Sequence, residues 1–164
     1  MENKHIIEAL RSRFGLELLS VDENSDLLTF TVSSYAVHDF IGFLKEDESL
    51  QFNFLTDLTG IHYPDQDLPL GVIYHMHNLN KNIRIRIKTF VSLQNPSVKT
   101  VTDLFSSANW MERETFDFYG ILFEGHPNLK RILNVEYMDY FPMRKEFPLE
   151  DQTREDKDDR FFGR

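Results

Sequence analysis

The sequence predicts an α+β fold, a two-layer sandwich of a five-stranded, mainly antiparallel sheet with helices on one face, followed by an extended C-terminal tail. Three observations predict it. Some segments carry apolar residues at helical spacing, and others alternate apolar and polar residues as strands do. Short links join the strand segments, which favours antiparallel neighbours. Residues 121–164 show neither period, so we divide the chain into a globular domain, 1–120, and a tail, 121–164.

The first half of the chain combines two helices with two strands. In chain order, the sequence predicts a helix over His5–Arg13, strands over Leu16–Val21 and Leu27–Val32, and a helix over Tyr35–Lys45. Gly15 suits the stop position of the first helix. Ser33 or Ser34 can cap the second, because a hydroxyl can accept from a free N–H of the first turn.

Three strands and a third helix follow. The predicted strands cover Gln51–Tyr63, Gly71–His77 and Ile83–Val91. In the first of them the alternation breaks near Leu55, and Gly60 suggests a bulge or bend.

The strand Ile83–Val91 has the cleanest alternation in the chain. It predicts an apolar inner face and a basic outer face, formed respectively by Ile83, Ile85 and Ile87 and by Arg84, Arg86 and Lys88. The third helix begins near Asn109, which resembles a capping box with Glu112, and Gly120 ends it after Tyr119.

Composition excludes several classes of function. The formal net charge of -9 argues against nucleic acid as the main partner, because such partners need an excess of Lys and Arg. The sequence has no Cys, which removes disulfides, thiolate zinc sites and cysteine-ligated iron–sulfur clusters. No apolar stretch approaches the ~20 residues that span a bilayer. We expect a soluble, cytoplasmic protein, or one held at a membrane only through other chains.

The tail is too apolar for a solvated, disordered segment. Its apolar and aromatic residues include Ile121, Phe123, Leu129, Ile132, Leu133, Tyr137, Tyr140, Phe141 and Phe147. Disordered segments are poor in such residues, so we expect this one to lie against a partner protein. Arg131, Arg144 and Lys145 stand among the aromatic residues, and this arrangement favours ion pairs across an interface over solvated surface groups.

Two histidine motifs leave alternatives open. His75 and His77 share one face of a strand at a spacing that metals use, so a stand-alone metal-dependent hydrolase is one alternative. The other is that both are ordinary strand residues. His126, between Gly125 and Pro127, could be a base, a ligand or a loop residue bonded to backbone.

The charged residues of the third helix also allow two interpretations. Glu112, Arg113, Glu114 and Asp117 could form a solvated face, but the surrounding aromatic residues favour buried or interfacial ion pairing. Arg113 and Asp117 are four apart and can pair. The basic stripe that begins at Arg84 could bind an acidic partner, as in a free adaptor, or could face solvent.

One block resembles a known family. It reads ERETFDFYGILFEGHP from Glu112 to Pro127, followed by Leu129, Arg131-Ile-Leu133 and the run PMRKEFPL from Pro142. This ordered pattern closely resembles the C subunit of bacterial NADH-quinone oxidoreductase, a peripheral-arm subunit of respiratory complex I. Weaker similarity extends upstream to Tyr74-His75 and Ser107-x-Asn109-Trp110. Met143 and Glu146 stand where the family usually has Leu and Asp.

The absence of Cys and of a converging set of ligands predicts that the chain holds no flavin, iron–sulfur cluster or tight metal. The resemblance implies a non-catalytic subunit that binds no redox cofactor. The enzyme to which it belongs would use NADH, FMN, iron–sulfur clusters and quinone and would couple electron transfer to proton translocation. It implies partners: the D subunit with the quinone site, the B subunit with the terminal iron–sulfur cluster, and the neighbouring iron–sulfur subunit. The location would be peripheral, on the cytoplasmic side of the bacterial inner membrane. An equivalent subunit of a ferredoxin- or hydrogenase-type membrane complex is the related alternative.

The resemblance also implies a set of subunit-interface residues. They are Glu112, Arg113, Glu114, Asp117, Gly120, Phe123, Gly125, His126, Pro127, Arg131, Pro142, Arg144, Lys145, Phe147 and Pro148.

Overall fold

The computed structural model describes residues 3–147. Its elements in chain order are α1 (Asn3–Phe14), β1 (Leu18–Asp22), β2 (Leu28–Val32), α2 (Val37–Glu46), β3 (Phe54–His62), β4 (Leu70–Asn78), β5 (Ile83–Val91), β6 (Ser97–Lys99), α3 (Ala108–Tyr119) and β7 (Leu122–Glu124). A 3-10 turn over Gly15–Glu17 separates α1 from β1.

The main sheet has five strands in the order β1-β2-β5-β4-β3. Strand β2 runs parallel to β5, and all other neighbours are antiparallel. The parallel pair arises because α2, β3 and β4 intervene between β2 and β5, which gives the chain room to cross over. The α+β class and the five-stranded, mainly antiparallel sheet are confirmed.

The predicted facing of β5 is confirmed as well. Ile85 and Ile87 are fully buried, Ile83 is partly buried against the core, and Arg84 is exposed. Strand pairing places Tyr74 of β4 opposite Ile87, and Phe30 of β2 beside it, on the same inner face. The core therefore lies on one side of the sheet.

All three helices pack on this inner face. Helices α1 and α2 contribute buried residues, Ile6, Leu10, Phe40 and Ile41 among them. Helix α3 covers β3, where Gly60 lets the ring of Tyr119 approach so closely that an added Cβ would overlap it. Close approach, rather than the bulge predicted at Gly60, explains this glycine, since Gly60 stays in register opposite Val72. The irregularity lies between Leu55 and Asp57, as the break in alternation predicts.

Helix ends follow the predictions only in part. Gly120 ends α3 with a left-handed φ of 73°, as expected. The predicted N-caps are wrong: Ala36 precedes α2 and Ser107 precedes α3, and neither makes a side-chain cap hydrogen bond. The carboxylate of Glu112 has other partners, described below, so it is not part of a capping box.

The start of the tail belongs to the globular layer. Strand β7 pairs in parallel with β6 in a small two-stranded sheet, and neither strand is predicted from the sequence. Ile121 and Phe123 are buried in the hydrophobic core. Within residues 3–147, no helix is both long enough and apolar enough to cross a membrane.

Candidate docking surface

Asp117, in the last turn of α3, is the centre of the contact between this helix and the tail. Its side chain is fully buried. Its Oδ2 accepts from the backbone N–H groups of Ile132 at 3.0 Å, Leu133 at 2.8 Å and Asn134 at 2.9 Å. Its Oδ1 accepts from the Nη1 of Arg131 at 2.8 Å and the Nδ2 of Asn134 at 3.1 Å.

These donors keep Asp117 ionised. Burial by itself would raise the pKa of Asp117, because it disfavours the charged form. The N–H groups of Asn134, Leu133 and Ile132, together with the guanidinium of Arg131, outweigh that effect and hold the pKa well below its usual range. A fixed negative charge therefore organises the tail around the helix end.

Two arginines of the tail complete the C-terminal end of α3. Arg131 donates from Nη1 to the carbonyl of Asp117 at 2.9 Å, and Arg144 donates from Nε to the carbonyl of Tyr119 at 2.8 Å. Their guanidinium carbons lie 5.1 Å and 4.7 Å from the ring centroid of Phe141. The last carbonyls of a helix lack intrahelical partners and carry partial negative charge, so cationic donors stabilise this end.

Further hydrogen bonds fold the tail on itself and on α3. Arg131 donates from Nη2 to the carbonyls of Met138 at 2.8 Å and Tyr140 at 3.0 Å. Arg113 of α3 donates to the carbonyls of Lys130 and Arg131, both at 3.1 Å. The predicted pairing of Arg113 with Asp117 is therefore replaced by pairing of both side chains with the tail.

The first half of α3 carries a second buried carboxyl group. Glu112 accepts from the backbone N–H of Val101 at 2.8 Å and from the hydroxyl of Thr100 at 2.5 Å. Burial raises the pKa of Glu112 to about 7, against the opposing effect of these two donors. Burial likewise raises the pKa of Tyr74, and the nearby Glu112 adds to that shift.

The structure distributes the expected interface residues over three environments. Glu112, Asp117, Gly120 and Phe123 are buried, so any part they play in an interface is indirect. Arg113, His126, Arg131, Pro142, Arg144 and Phe147 are partly buried, and Glu114, Gly125, Pro127 and Lys145 are exposed. Pro148 lies outside the described residues.

Sequence reasoning does not single out the surface that the tail exposes. This tail surface consists of Leu133 (65% exposed), Val135 (45%), Tyr137 (87%), Tyr140 (42%) and Met143 (45%). Trp110 of α3 is also 61% exposed, with the guanidinium of Arg113 5.2 Å from its ring centroid. No periodic pattern marks these residues, because a chain of turns sets their directions; only their apolar and aromatic character gives a signal.

The histidines have bonding partners within the chain. Nδ1 of His126 accepts from the backbone N–H of Asn128 at 3.0 Å, so its Nε2 donates to the carbonyl of Asn109 at 3.1 Å. This geometry favours the structured-loop interpretation. The Nε of Arg86 donates to the Nε2 of His75 at 2.9 Å, and Nε2 of His77 lies 3.1 Å from Oδ1 of Asn82.

The guanidinium of Arg86, which is hydrogen-bonded to the ring of His75, opposes binding of a metal cation at this histidine. Arg86 also pairs with Asp26, at 3.1 Å and 3.2 Å. This member of the basic stripe is therefore already neutralised within the chain. Among residues 3–147, no group of three or more His, Asp or Glu side chains is arranged to hold a metal ion.

Comparisons with known proteins agree with the resemblance. The family model "Respiratory-chain NADH dehydrogenase, 30 Kd subunit" matches residues 30–153. The chain is 37% identical over 154 residues to the C subunit of the NADH-quinone oxidoreductase of Citrifermentans bemidjiense, covering 94% of each chain. It is 38% identical over 149 residues to the protein of the same name in Roseiflexus sp., covering 91% of this chain and 86% of the relative.

Solved structures share the fold. A trypsin-resistant fragment of Nqo5 matches with a TM-score of 0.67 and 29% identity, over 79% of this chain and all (100%) of the fragment. The structure of a membrane-bound sulfane sulfur reductase, an archaeal respiratory membrane complex, matches with a TM-score of 0.74 over 91% of this chain and 87% of that chain. The second match has 23% identity and shows similarity of fold alone.

Proposed function

This chain belongs to the family of the 30 Kd subunit of respiratory-chain NADH dehydrogenase, and we propose that it is a non-catalytic structural subunit in the peripheral arm of an NADH-quinone oxidoreductase. The enzyme activity would belong to the assembly, which transfers electrons from NADH to quinone and couples this transfer to proton translocation. The names of its relatives and the length of the match support this assignment.

We propose that the tail surface docks on the D subunit, which carries the quinone site, close to the B subunit and the neighbouring iron–sulfur subunit. The observation that carries the proposal is the exposure of large apolar side chains, above all Leu133 and Tyr137, on a segment fixed to α3. Contiguous patches of exposed apolar side chains are typical of protein interfaces, and we propose that the five residues of the tail surface form one. The complex would hold the chain on the cytoplasmic side of the inner membrane.

We further propose that this protein holds no flavin, iron–sulfur cluster or tight metal. The sequence contains no Cys, and thiolates are the usual cluster ligands. The FMN, the clusters and the quinone site would lie in other chains of the complex, and the role of this chain would be to position them.

Isolation of the complex from solubilised membranes tests the docking proposal. An affinity tag on the full chain should bring down the D and B subunits. The double variant Leu133→Ser/Tyr137→Ser should lower their recovery at least about tenfold. The reason is that interface anchors of this kind each contribute ~2 kcal/mol or more to binding. Both side chains are exposed, so the fold should be unaffected.

A matched control is Leu16→Ser, in the turn after α1, where the side chain is 96% exposed. It removes a leucine that is even more exposed than Leu133 and lies outside the tail, and it should leave recovery unchanged. Wild-type recovery of the double variant, with normal quinone reduction, would show that the tail surface is not the docking site.

A further inference from the structure

The tail surface stands on a support that the chain builds for itself. Three consecutive backbone N–H groups, those of Ile132, Leu133 and Asn134, converge on one oxygen of Asp117. Leu133, the first apolar residue of the tail surface, is therefore itself a donor to the buried carboxylate. Arg131 extends the support, because it joins Asp117 to the carbonyls of Met138 and Tyr140.

We infer that Asp117 is the positioning residue of the tail surface, so that the chain docks through a surface already formed in the free protein and not through a segment that folds on its partner. This inference rests on the proposed docking function. A preformed docking surface differs from the usual interaction tail. Such a tail becomes ordered only on binding, and the free-energy cost of that ordering weakens its affinity.

A carboxylate is the group that this geometry requires. Each oxygen of Asp117 accepts at least two hydrogen bonds, and all five donor groups belong to the tail. An ionised carboxylate accepts on both oxygens, whereas an Asn amide presents an NH₂ group on one side. In Asp117→Asn, one set of donors would therefore face another donor in a buried site, whichever way the amide turns.

The same contacts define the chemistry of the partner. Arg113, Arg131 and Arg144 direct their guanidinium groups to acceptors inside the chain: Arg131 to the carboxylate of Asp117, and the other two to backbone carbonyls. The five residues of the tail surface are aliphatic or aromatic, and the exposed charged residues that lie between them in the chain, Glu136 and Asp139, are acidic. The partner should therefore present an apolar groove rather than a row of acidic residues.

Hydrogen exchange on the purified full chain, without its partners, tests the inference. In the wild type, the amides of Ile132, Leu133 and Asn134 should be protected. In Asp117→Asn, they should exchange at least about tenfold faster, since hydrogen bonds to a charged group are lost, while the amides of Ile85 and Ile87 should keep their rates. The control Glu114→Gln removes one negative charge from an exposed position of the same helix and should change neither region.

Assembly kinetics supply the second measurement. When added to membranes that lack this protein, Asp117→Asn should associate more slowly than the wild type and than Glu8→Gln, which removes one negative charge from an exposed position of α1. Unprotected wild-type tail amides, or an unchanged Asp117→Asn tail, would overturn the inference. The inference would also be overturned if Asp117→Asn lost as much protection at Ile85 as in the tail, because Asp117 would then stabilise the whole domain. A loosened tail that associates at the wild-type rate would show that folding occurs on the partner. Failure of docking itself would appear separately, in the recovery experiment with Leu133 and Tyr137.

Discussion

The variant Glu112→Gln should gain stability relative to the wild type as the pH rises. The quantity that changes is the difference between their free energies of unfolding. Glu112 is fully buried, and its pKa is raised to about 7 from an ordinary value of 4.5. Between these two values the folded state holds a proton that the unfolded state has lost. Raising the pH through this window therefore lowers the free energy of unfolding of the wild type.

The magnitude follows from the two pKa values of Glu112. A difference of one pKa unit between the folded and unfolded states corresponds to about 1.4 kcal/mol, and titration from about pH 5 to about pH 8 covers most of the window. The wild type should lose ~2.5 kcal/mol over this range through Glu112 alone. The Gln side chain can still accept from Val101 and donate to Thr100, but it does not titrate, so the variant should escape this loss.

Urea titrations of both proteins, followed by circular dichroism, measure the effect. The difference in unfolding free energy between Glu112→Gln and wild type should grow by ~2.5 kcal/mol in favour of the variant between about pH 5 and about pH 8. Other titrating groups contribute to both proteins and cancel in the difference. A difference that stays constant, or that grows in favour of the wild type, would refute the reasoning.

Two further substitutions test the packing of the sheet. Ile85→Ala should lower the unfolding free energy by roughly 2–5 kcal/mol, as large-to-small changes in cores do, while Arg86→Ala should cost less than half as much; equal losses in a denaturant titration would contradict the facing of β5. Gly60→Ala should destabilise by ~1–3 kcal/mol through overlap with Tyr119. The double variant Gly60→Ala/Tyr119→Ala should then lose less than the sum of its single changes, and strict additivity would show that the two residues do not compete for the same space.

The elements that sequence reasoning identifies correctly are those in which many residues repeat one period. Strand β5 is the clearest example, and its predicted bounds, Ile83–Val91, are the observed ones. Strands β6 and β7 have three residues each, too few for a period, and only their pairing with each other defines them. The predicted N-caps fail for a related reason, since a serine near a helix start indicates a possible bond, and tertiary packing decides whether the helix begins there.

The tail shows what a pattern of residue types leaves undetermined. Basic residues among aromatic ones predict ion pairs across an interface, but Arg131 and Arg144 make their hydrogen bonds inside the chain. No spacing rule connects Asp117 to Arg131, because the turns between them place the guanidinium. The family resemblance identifies these residues as important, and the geometry shows that buried members such as Asp117 act through the surface that they position.

The two buried carboxyl groups of α3 have opposite pKa shifts, and this difference separates two properties of the chain. Glu112 has two neutral donors, too few to offset its burial, and its pKa rises to about 7. Asp117 has five bonds, one of them from a guanidinium, and its pKa is depressed. A depressed pKa contributes stability above the unfolded value of about 4, and this is lost only as the pH falls below it. A change of pH around 7 should therefore weaken the contact that Glu112 makes between α3 and the segment after β6, while Asp117 keeps the tail surface in place.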